Sequence, residues 1–263
     1  MAALPISVCL VSGAEEQRIA RCLASVAGWT SEIIVVLNEE VQDRTATIVA
    51  DFGGRVFRHP WQGFREQKNL ALTYASQPWV LSLDADEVVS PALRIGIEAF
   101  LAAAEPKEVG ARFPRLTWFM GRWITHGDWY PDHVLRLFRR GAGRWGGSPE
   151  HTNVELTGAV RTLRGDLLHY SNPSINGYLQ KIPYYADLYL QRQLAEGTRW
   201  RPLQVIARAA WRFLRAYFLK RGFLDGYPGF FLAVSTAYAA LVRHTRLYEH
   251  LNQRSPPDSP SSA

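Results

Sequence analysis

The run Glu32-Ile33-Ile34-Val35-Val36-Leu37 limits what this chain can fold into more than any other. After its first residue it is apolar, largely β-branched and unbroken, which suits a strand covered on both faces, as in a parallel sheet. Ile6-Ser7-Val8-Cys9-Leu10-Val11 reads as another buried strand ahead of it. Between the two, Glu15 to Ala27 places Ile19, Leu23, Val26 and Ala27 at helical spacing. The alternation continues. A polar loop, Asn38 to Gln42, leads to a helix capped by Asp43 and stopped by Gly53-Gly54. Arg55 to Arg58 is a short strand, Arg65 to Ala75 a helix, the run from Trp79 through Asp86 a strand, and Pro91 to Ala104 a helix opened by Ser90-Pro91. Strand and helix alternating in this way predict a doubly wound, mostly parallel α/β sheet with right-handed crossovers.

The fourth strand ends in Asp84-Ala85-Asp86. In an extended chain, side chains two apart share a face, so the two carboxylates point the same way. They repel each other unless a cation sits between them. Hard oxygen donors suit magnesium or manganese, which also bind phosphate oxygens. Open α/β sheets keep their ligands at the carboxyl ends of the strands. The pair therefore predicts a divalent cation held against the diphosphate of a nucleotide-sugar. The competing expectation is that one aspartate merely caps a helix; Ser90-Pro91 opens the next helix by its own means and weakens that alternative.

After Glu105-Pro106 the pattern breaks into short strand-like pieces, Gly110 to Pro114, Val134 to Phe138, Asn153 to Leu156 and Asp166 to Tyr170. The loops between them are rich in Gly, Trp, His and Asp, the composition of binding loops on a rigid scaffold. From Ser174 the chain reads as helical, in segments Ser174 to Glu196, Pro202 to Arg221 and Gly229 to about Leu251, and it closes on a polar, Pro-rich tail. The expected division is 1–172 catalytic α/β domain, 173–251 helical region and 252–263 disordered tail. A formal net charge of +6 fits an anionic partner, and no run of Lys and Arg is long enough for a nucleic-acid tail, so no nucleic acid is expected. Two cysteines, Cys9 and Cys22, sit in a predicted strand and a predicted helix and suit a reducing cytoplasm. Met1 to Pro5 lacks a basic segment followed by a long apolar run, so no signal peptide is expected.

Several stretches carry a resemblance: Glu32 to Val36, Asp43-Arg44-Thr45, Gln67-Lys68-Asn69, Leu81 to Glu87, Trp129-Tyr130-Pro131-Asp132, Leu135 to Arg139, Leu168-His169-Tyr170-Ser171, and Leu219 to Gly226. In this order they resemble a family 2 glycosyltransferase of the GT-A nucleotide-sugar fold. The closer likeness is to bacterial lipopolysaccharide-core β-1,4-glucosyltransferase-like proteins. The resemblance implies that Asp84 and Asp86 hold a manganese or magnesium ion and the ribose-diphosphate end of the donor. It implies that Lys68 faces the nucleotide and that His169 completes the metal shell; a structural role is the alternative for His169.

Two departures from the family pattern bear on the site. The Asp expected directly after the second strand is Leu37 here, followed by Asn38 and Glu39-Glu40, and the first loop reads Ala14-Glu15-Glu16. Asn38 or Glu39 takes over the nucleotide contact in this reading. The family's His-Glu reads His151-Thr152 here, with Glu150 in front. An inverting transfer needs a carboxylate to take the acceptor hydroxyl's proton, and the candidates are Glu150, Asp132 and Asp128. Trp118, Trp123, Trp129 and Tyr130 are candidates for stacking on sugar rings, with core packing as the alternative. Arg136, Arg139 and Arg140 are candidates for gripping an anionic acceptor, although strand alternation lets only one of Arg136 and Arg139 face the site.

Arg199, Arg201, Arg208, Arg212, Arg215, Lys220 and Arg221 fall in one stretch with no acidic residue and alternate with Trp200, Leu203, Ile206, Trp211 and Phe218. That composition suits a helix lying in the headgroup region of an anionic leaflet, with a basic amphipathic helix packed on the catalytic domain as the alternative. The apolar segment from Phe230 is shorter than the roughly 20 residues needed to span a bilayer. The expectation is peripheral or monotopic attachment at the cytoplasmic face of the inner membrane, with a lipid-linked saccharide such as lipopolysaccharide core as acceptor. Transfer to a polyprenyl phosphate and a degenerate, non-catalytic sugar- or membrane-binding protein are the rivals.

Overall fold

The computed structural model describes residues 3–148, 151–171, 174–197 and 200–252. They form two compact units: one of residues up to 125 with 129–173, the other of 126–128 with the chain from 174 onward. The tail beyond residue 252 and Glu150 lie outside the described residues.

The first unit begins β1 (Leu4–Ser12), α1 (Ile19–Val26), β2 (Thr30–Asn38), α2 (Thr45–Asp51), β3 (Arg55–His59), α3 (Phe64–Tyr74) and β4 (Trp79–Asp84). These strands lie in the order β3-β2-β1-β4, all parallel. Residues alternate between two cores. Val8, Leu10, Leu81 and Leu83 pack with α1 residues Ile19, Leu23 and Val26; Cys9, Val11 and Val80 pack with Ala71 of α3. A strand buried on both faces reads as a continuous apolar run, which is why β1, β2 and β4 announce themselves in the sequence.

The second half of the sheet is mixed rather than parallel. β5 (Glu87–Val89) and α4 (Pro91–Ala103) are followed by β6 (Glu108–Phe119), β7 (Arg122–Ile124), β8 (Asp132–Arg139), a hairpin of β9 (Gly143–Ser148) and β10 (His151–Leu156), then β11 (Ala159–Thr162) and β12 (Leu167–His169). The sheet order continues β4-β8-β6-β12-β5; β8 runs antiparallel to both neighbours, and β6 also pairs β7 and β11. After α4 no crossover helix lies between the strands, so neighbours joined by short loops return antiparallel. Ser90 opens α4 as expected, its hydroxyl accepting from the Leu93 amide at 3.1 Å.

The second unit holds α5 (Ile175–Leu179), α6 (Lys181–Ala195), α7 (Pro202–Leu214) and α8 (Gly226–Leu251). The helix expected over 202–221 ends early. A π-helical turn, Arg215–Leu219, and a tight turn, Gly222–Asp225, separate α7 from α8. Asp128 binds there, with Arg215 at 2.7 Å and Lys220 at 3.3 Å, and the His126 amide donates to buried Asp225 at 2.8 Å. Gly222 sits against the Ala216 carbonyl, where any Cβ would collide at 2.6 Å. Among the described residues no helix is long and apolar enough to cross a membrane.

Candidate active site

β4 delivers Asp84 to the carboxyl edge of the sheet on the face that carries Val80 and α3. Three consecutive polar residues of α3 then divide their work around the helix. Gln67 donates to the Pro60 carbonyl at 2.7 Å and fixes the loop before the helix. Asn69 exchanges two hydrogen bonds with the Trp145 backbone, at 2.9 and 2.8 Å, and ties β9 to α3. Lys68, 6% exposed, places its Nζ 2.7 Å from Asp84 Oδ1. The other oxygen, Oδ2, accepts from Arg136 Nη2 at 2.5 Å. The Trp145 indole covers both cations, with Lys68 Nζ 4.2 Å and the Arg136 guanidinium 5.4 Å from its ring centre.

Glu87 is the hub beneath this pair. It is fully buried, and its Oε2 accepts from the Asp84 amide at 3.0 Å. Its Oε1 accepts from Arg136 at 2.8 Å and Arg115 at 3.3 Å. Arg115 stands opposite Asp132 in the β6–β8 pairing and donates to Asp132 Oδ2 at 3.0 and 2.6 Å. Lys68, Arg115 and Arg136 thus alternate with Asp84, Glu87 and Asp132, and each buried charge has a partner of opposite sign.

Asp86 sits one step away with a different set of neighbours. The extended chain ends at Asp84, and Ala85-Asp86 turn before β5 begins. Simple strand alternation therefore does not align the two aspartates, contrary to expectation. Asp86 is placed by β12: its carbonyl accepts from the Tyr170 amide at 2.9 Å, and its Oδ2 lies 3.6 Å from His169 Nε2 and 3.8 Å from Arg18. His169 Nδ1 is 3.4 Å from the Thr117 hydroxyl, which turns Nε2 toward Asp86.

The electrostatics separate the two aspartates. Burial pushes the Asp84 carboxyl upward, but Arg136 and Lys68 outweigh it and hold the group far below the usual carboxylate range. Burial raises Asp86 above its ordinary value; His169 opposes the rise, and Glu87 and Asp84 add to it. Burial likewise lowers the His169 imidazole despite the nearby Glu87 and Asp86. Asp84 is a permanently ionised anchor, whereas Asp86 and His169 are groups that a cation would relieve.

Among the described residues no three His, Cys, Asp or Glu side chains converge as a complete metal cage. A two-donor site is what the geometry offers: one carboxylate and one imidazole nitrogen facing each other at 3.6 Å, too far for a direct hydrogen bond. Asp86 and His169 would hold a magnesium or manganese ion through two of its ligand positions. Asp84, expected in the same shell, has each oxygen on a cationic side chain instead.

The remaining expected residues fall as follows. Asn38 ends β2, and its Oδ1 accepts from the Glu40 amide at 3.3 Å, so it shapes the turn after the strand; Leu37 is fully buried. Asp43 accepts from the Thr45 and Glu16 amides at 2.9 and 3.2 Å, and Glu16 accepts in return from the Arg44 amide, clamping the loops after β1 and β2 together. Trp129 packs on Phe119, and Tyr130 donates to Asp166 at 3.0 Å. Arg136, expected to face the acceptor, is 5% exposed within the acid network, while Arg139 leaves it for the Trp79 ring and the Glu108 carbonyl. Sequence reasoning missed Glu87, Arg115 and Trp145 as site residues; Glu87 stands beside the acid pair, and a buried acid at a strand start is the signal that was there to use.

An acid pair at the carboxyl edge of a mixed α/β sheet, with a lysine and an arginine on Asp84, is the arrangement that the resemblance to the GT-A fold implies. Residues 7–141 match glycosyl transferase family 2, and the chain belongs to that family. A lipopolysaccharide core biosynthesis glycosyltransferase, LpsC of Rhizobium meliloti, is 31% identical over 253 residues, covering 94% of this chain and 93% of its own. An uncharacterized glycosyltransferase of Rickettsia typhi is 28% identical over 254 residues, covering 93% and 87%. Among solved structures, S. aureus TarS 1-349 in complex with UDP-GlcNAc superposes with a TM-score of 0.49 at 14% identity, covering 94% of this chain and 91% of that one.

Proposed function

We propose that this family 2 glycosyltransferase moves a sugar, with inversion, from a nucleoside-diphosphate sugar to a lipid-linked saccharide of the lipopolysaccharide-core kind, at the cytoplasmic face of the inner membrane. The observation that carries the reading is the division of labour at the sheet edge: Asp84 neutralised by Lys68 and Arg136, and Asp86 left facing His169. Donor departure builds negative charge on the diphosphate; Asp86 and His169 are the residues that would hold a divalent cation there, and such an ion would supply counter-charge. Asp84, held in place by its two cations, accepts from the nucleotide's hydroxyls. Lys68 adds positive potential under the phosphates. Asp132 is tied to Arg115 through Oδ2 and is 41% exposed, which leaves Oδ1 to take the acceptor hydroxyl's proton. Glu150 is the second candidate for that role.

The membrane part of the reading rests on the helical unit. Leu203, Ile206, Trp211 and Phe218 are 80%, 64%, 54% and 54% exposed, interleaved with Arg201, Arg208, Arg212 and Arg215. Apolar groups exposed at this density beside arginines suit the headgroup layer of an anionic leaflet. The test is a transfer assay on lipopolysaccharide core acceptors with a panel of nucleotide-sugars and manganese. Turnover that disappears in Asp86→Asn, and falls in Asp132→Asn with donor binding intact, is expected. Absence of turnover with every base and sugar would sink the transferase reading in favour of a binding protein.

A further inference from the structure

The helical unit holds a second concentration of charge, and it is unlike the sheet edge. α8 packs against both α6 and α7, and Tyr189 of α6 lies at the junction. The guanidinium of Arg192 stands 5.4 Å from the Tyr189 ring centre and that of Arg243 6.0 Å. The Tyr189 hydroxyl is 3.3 Å from His244 Nδ1, and the two rings meet edge to face at 5.2 Å. Arg208 of α7 is within electrostatic range of both Tyr189 and His244, and Arg212 is within range of Arg243.

The acids around this cluster are few. Glu196 lies 3.9 Å from Arg192. Asp187 is taken by Arg246 at 3.1 Å. Asp128, 4.0 Å from Arg212, also serves Arg215 and Lys220. Among the described residues neither Arg208 nor Arg243 has a carboxylate within ion-pair distance, and half-buried Arg243 donates only to the Ala239 carbonyl of its own helix, at 3.2 Å. Burial holds the Arg243 guanidinium below its ordinary value, and Arg212 and Arg192 add repulsion. Burying a guanidinium without a counter-charge is unfavourable, and like charges side by side add to that cost. A phosphate bound among these arginines removes both costs through charge-assisted, fork-shaped hydrogen bonds.

We propose that Arg192, Arg208 and Arg243, with His244 and the Tyr189 hydroxyl, form a binding site for a phosphate group in the helical unit, borne either on an anionic lipid headgroup or on a free small molecule. The assignment goes beyond the transfer reaction and does not depend on donor chemistry, so loss of turnover and loss of this site are separately visible.

The test uses the full chain, with inorganic phosphate by calorimetry in one arm and sedimentation with vesicles of phosphatidic acid in phosphatidylcholine in the other. Arg243→Gln and Arg246→Gln remove the same charge from the same helix. A built site predicts about a tenfold or greater loss of binding for Arg243→Gln and little change for Arg246→Gln. Arg208 is exposed, so Arg208→Gln repeats the test with no burden on folding. Binding of inorganic phosphate with this selectivity identifies a free small molecule as ligand; selectivity with vesicles alone identifies a lipid headgroup. Equal losses for Arg243→Gln, Arg208→Gln and Arg246→Gln mean diffuse surface attraction and overturn the proposal, as does binding in neither arm.

Discussion

At the sheet edge Lys68, Arg115 and Arg136 meet Asp84, Glu87 and Asp132, cation against anion. In the helical unit Arg192, Arg208, Arg212 and Arg243 gather near Tyr189; Glu196 stands by Arg192 and Asp128 by Arg212, and among the described residues Arg208 and Arg243 have no carboxylate within ion-pair distance. The first cluster is complete without a ligand: its charges hold one another, and their shape persists before the donor arrives. The second is incomplete, and its repulsion is free energy that an anion recovers on binding. Asp86 lies just outside the compensated network with looser partners, His169 at 3.6 Å and Arg18 at 3.8 Å. Compensated charge sets geometry, and uncompensated charge sets affinity.

The sharpest way to break this comparison is Asp86→Asn. With this loosely partnered acid gone, kcat/KM is expected to fall on the order of a thousandfold, read in steady-state assays with manganese, while the unfolding midpoint in urea changes little. Arg136→Met does the reverse to the compensated network. It leaves buried Glu87 with only the more distant Arg115 and Asp84 with Lys68 alone as cationic partners, and unfolding free energy from urea titration should drop by about 3 kcal/mol. Adding Glu87→Met to that variant should restore part of the loss, since both partners of one pair are then absent. Arg243→Met, a removal of the same group from the helical cluster, is expected to be neutral or to stabilise by up to about 1 kcal/mol when phosphate is absent. A destabilisation as large as that of Arg136→Met would show that the arginine cluster is compensated after all.

The smallest effects concern the cysteines. Burial pushes the Cys9 thiol up to about 12, with Glu32 adding to the rise, and burial raises Cys22 as well. The folded chain keeps the Cys9 proton where an unfolded chain, with a thiol near 9.0, has lost it. That contribution to stability is whole below pH 9 and declines as pH climbs toward 12. Neither thiol should react with a disulfide reagent at pH 8 unless denaturant is present, which a colorimetric titration checks.

The parallel half of the sheet is legible in the sequence because burial on both faces leaves unbroken apolar runs in β1, β2 and β4. β9 is not. Its Gly143-Arg144-Trp145-Gly146-Gly147-Ser148 looks like a loop, yet a Cβ at Gly143 would meet Leu156 Cδ2 at 2.4 Å, so the glycines are there to let β10 close. Asp84, Asp86, Lys68 and His169 are legible as a set through spacing and resemblance. Arg115 is not, because its place opposite Asp132 depends on the β6–β8 register, a contact between strands that nothing local to either encodes. Arg136 is legible as a charge but not in its direction, since only the fold shows that it points down at Glu87 and not out at an acceptor. The arginine cluster escapes sequence reading for a related reason: Arg192, Arg208 and Arg243 come from three helices.

Thermal unfolding of the full chain with a panel of nucleotide-sugars, with and without manganese, tests the central claim most directly. At about a hundredfold excess over Kd, mass action predicts a rise in Tm of roughly 5 °C. The account predicts that this rise requires manganese, survives in Arg246→Gln and vanishes in Asp86→Ala. A rise of equal size in the presence of chelator, or one retained in Asp86→Ala, would contradict it.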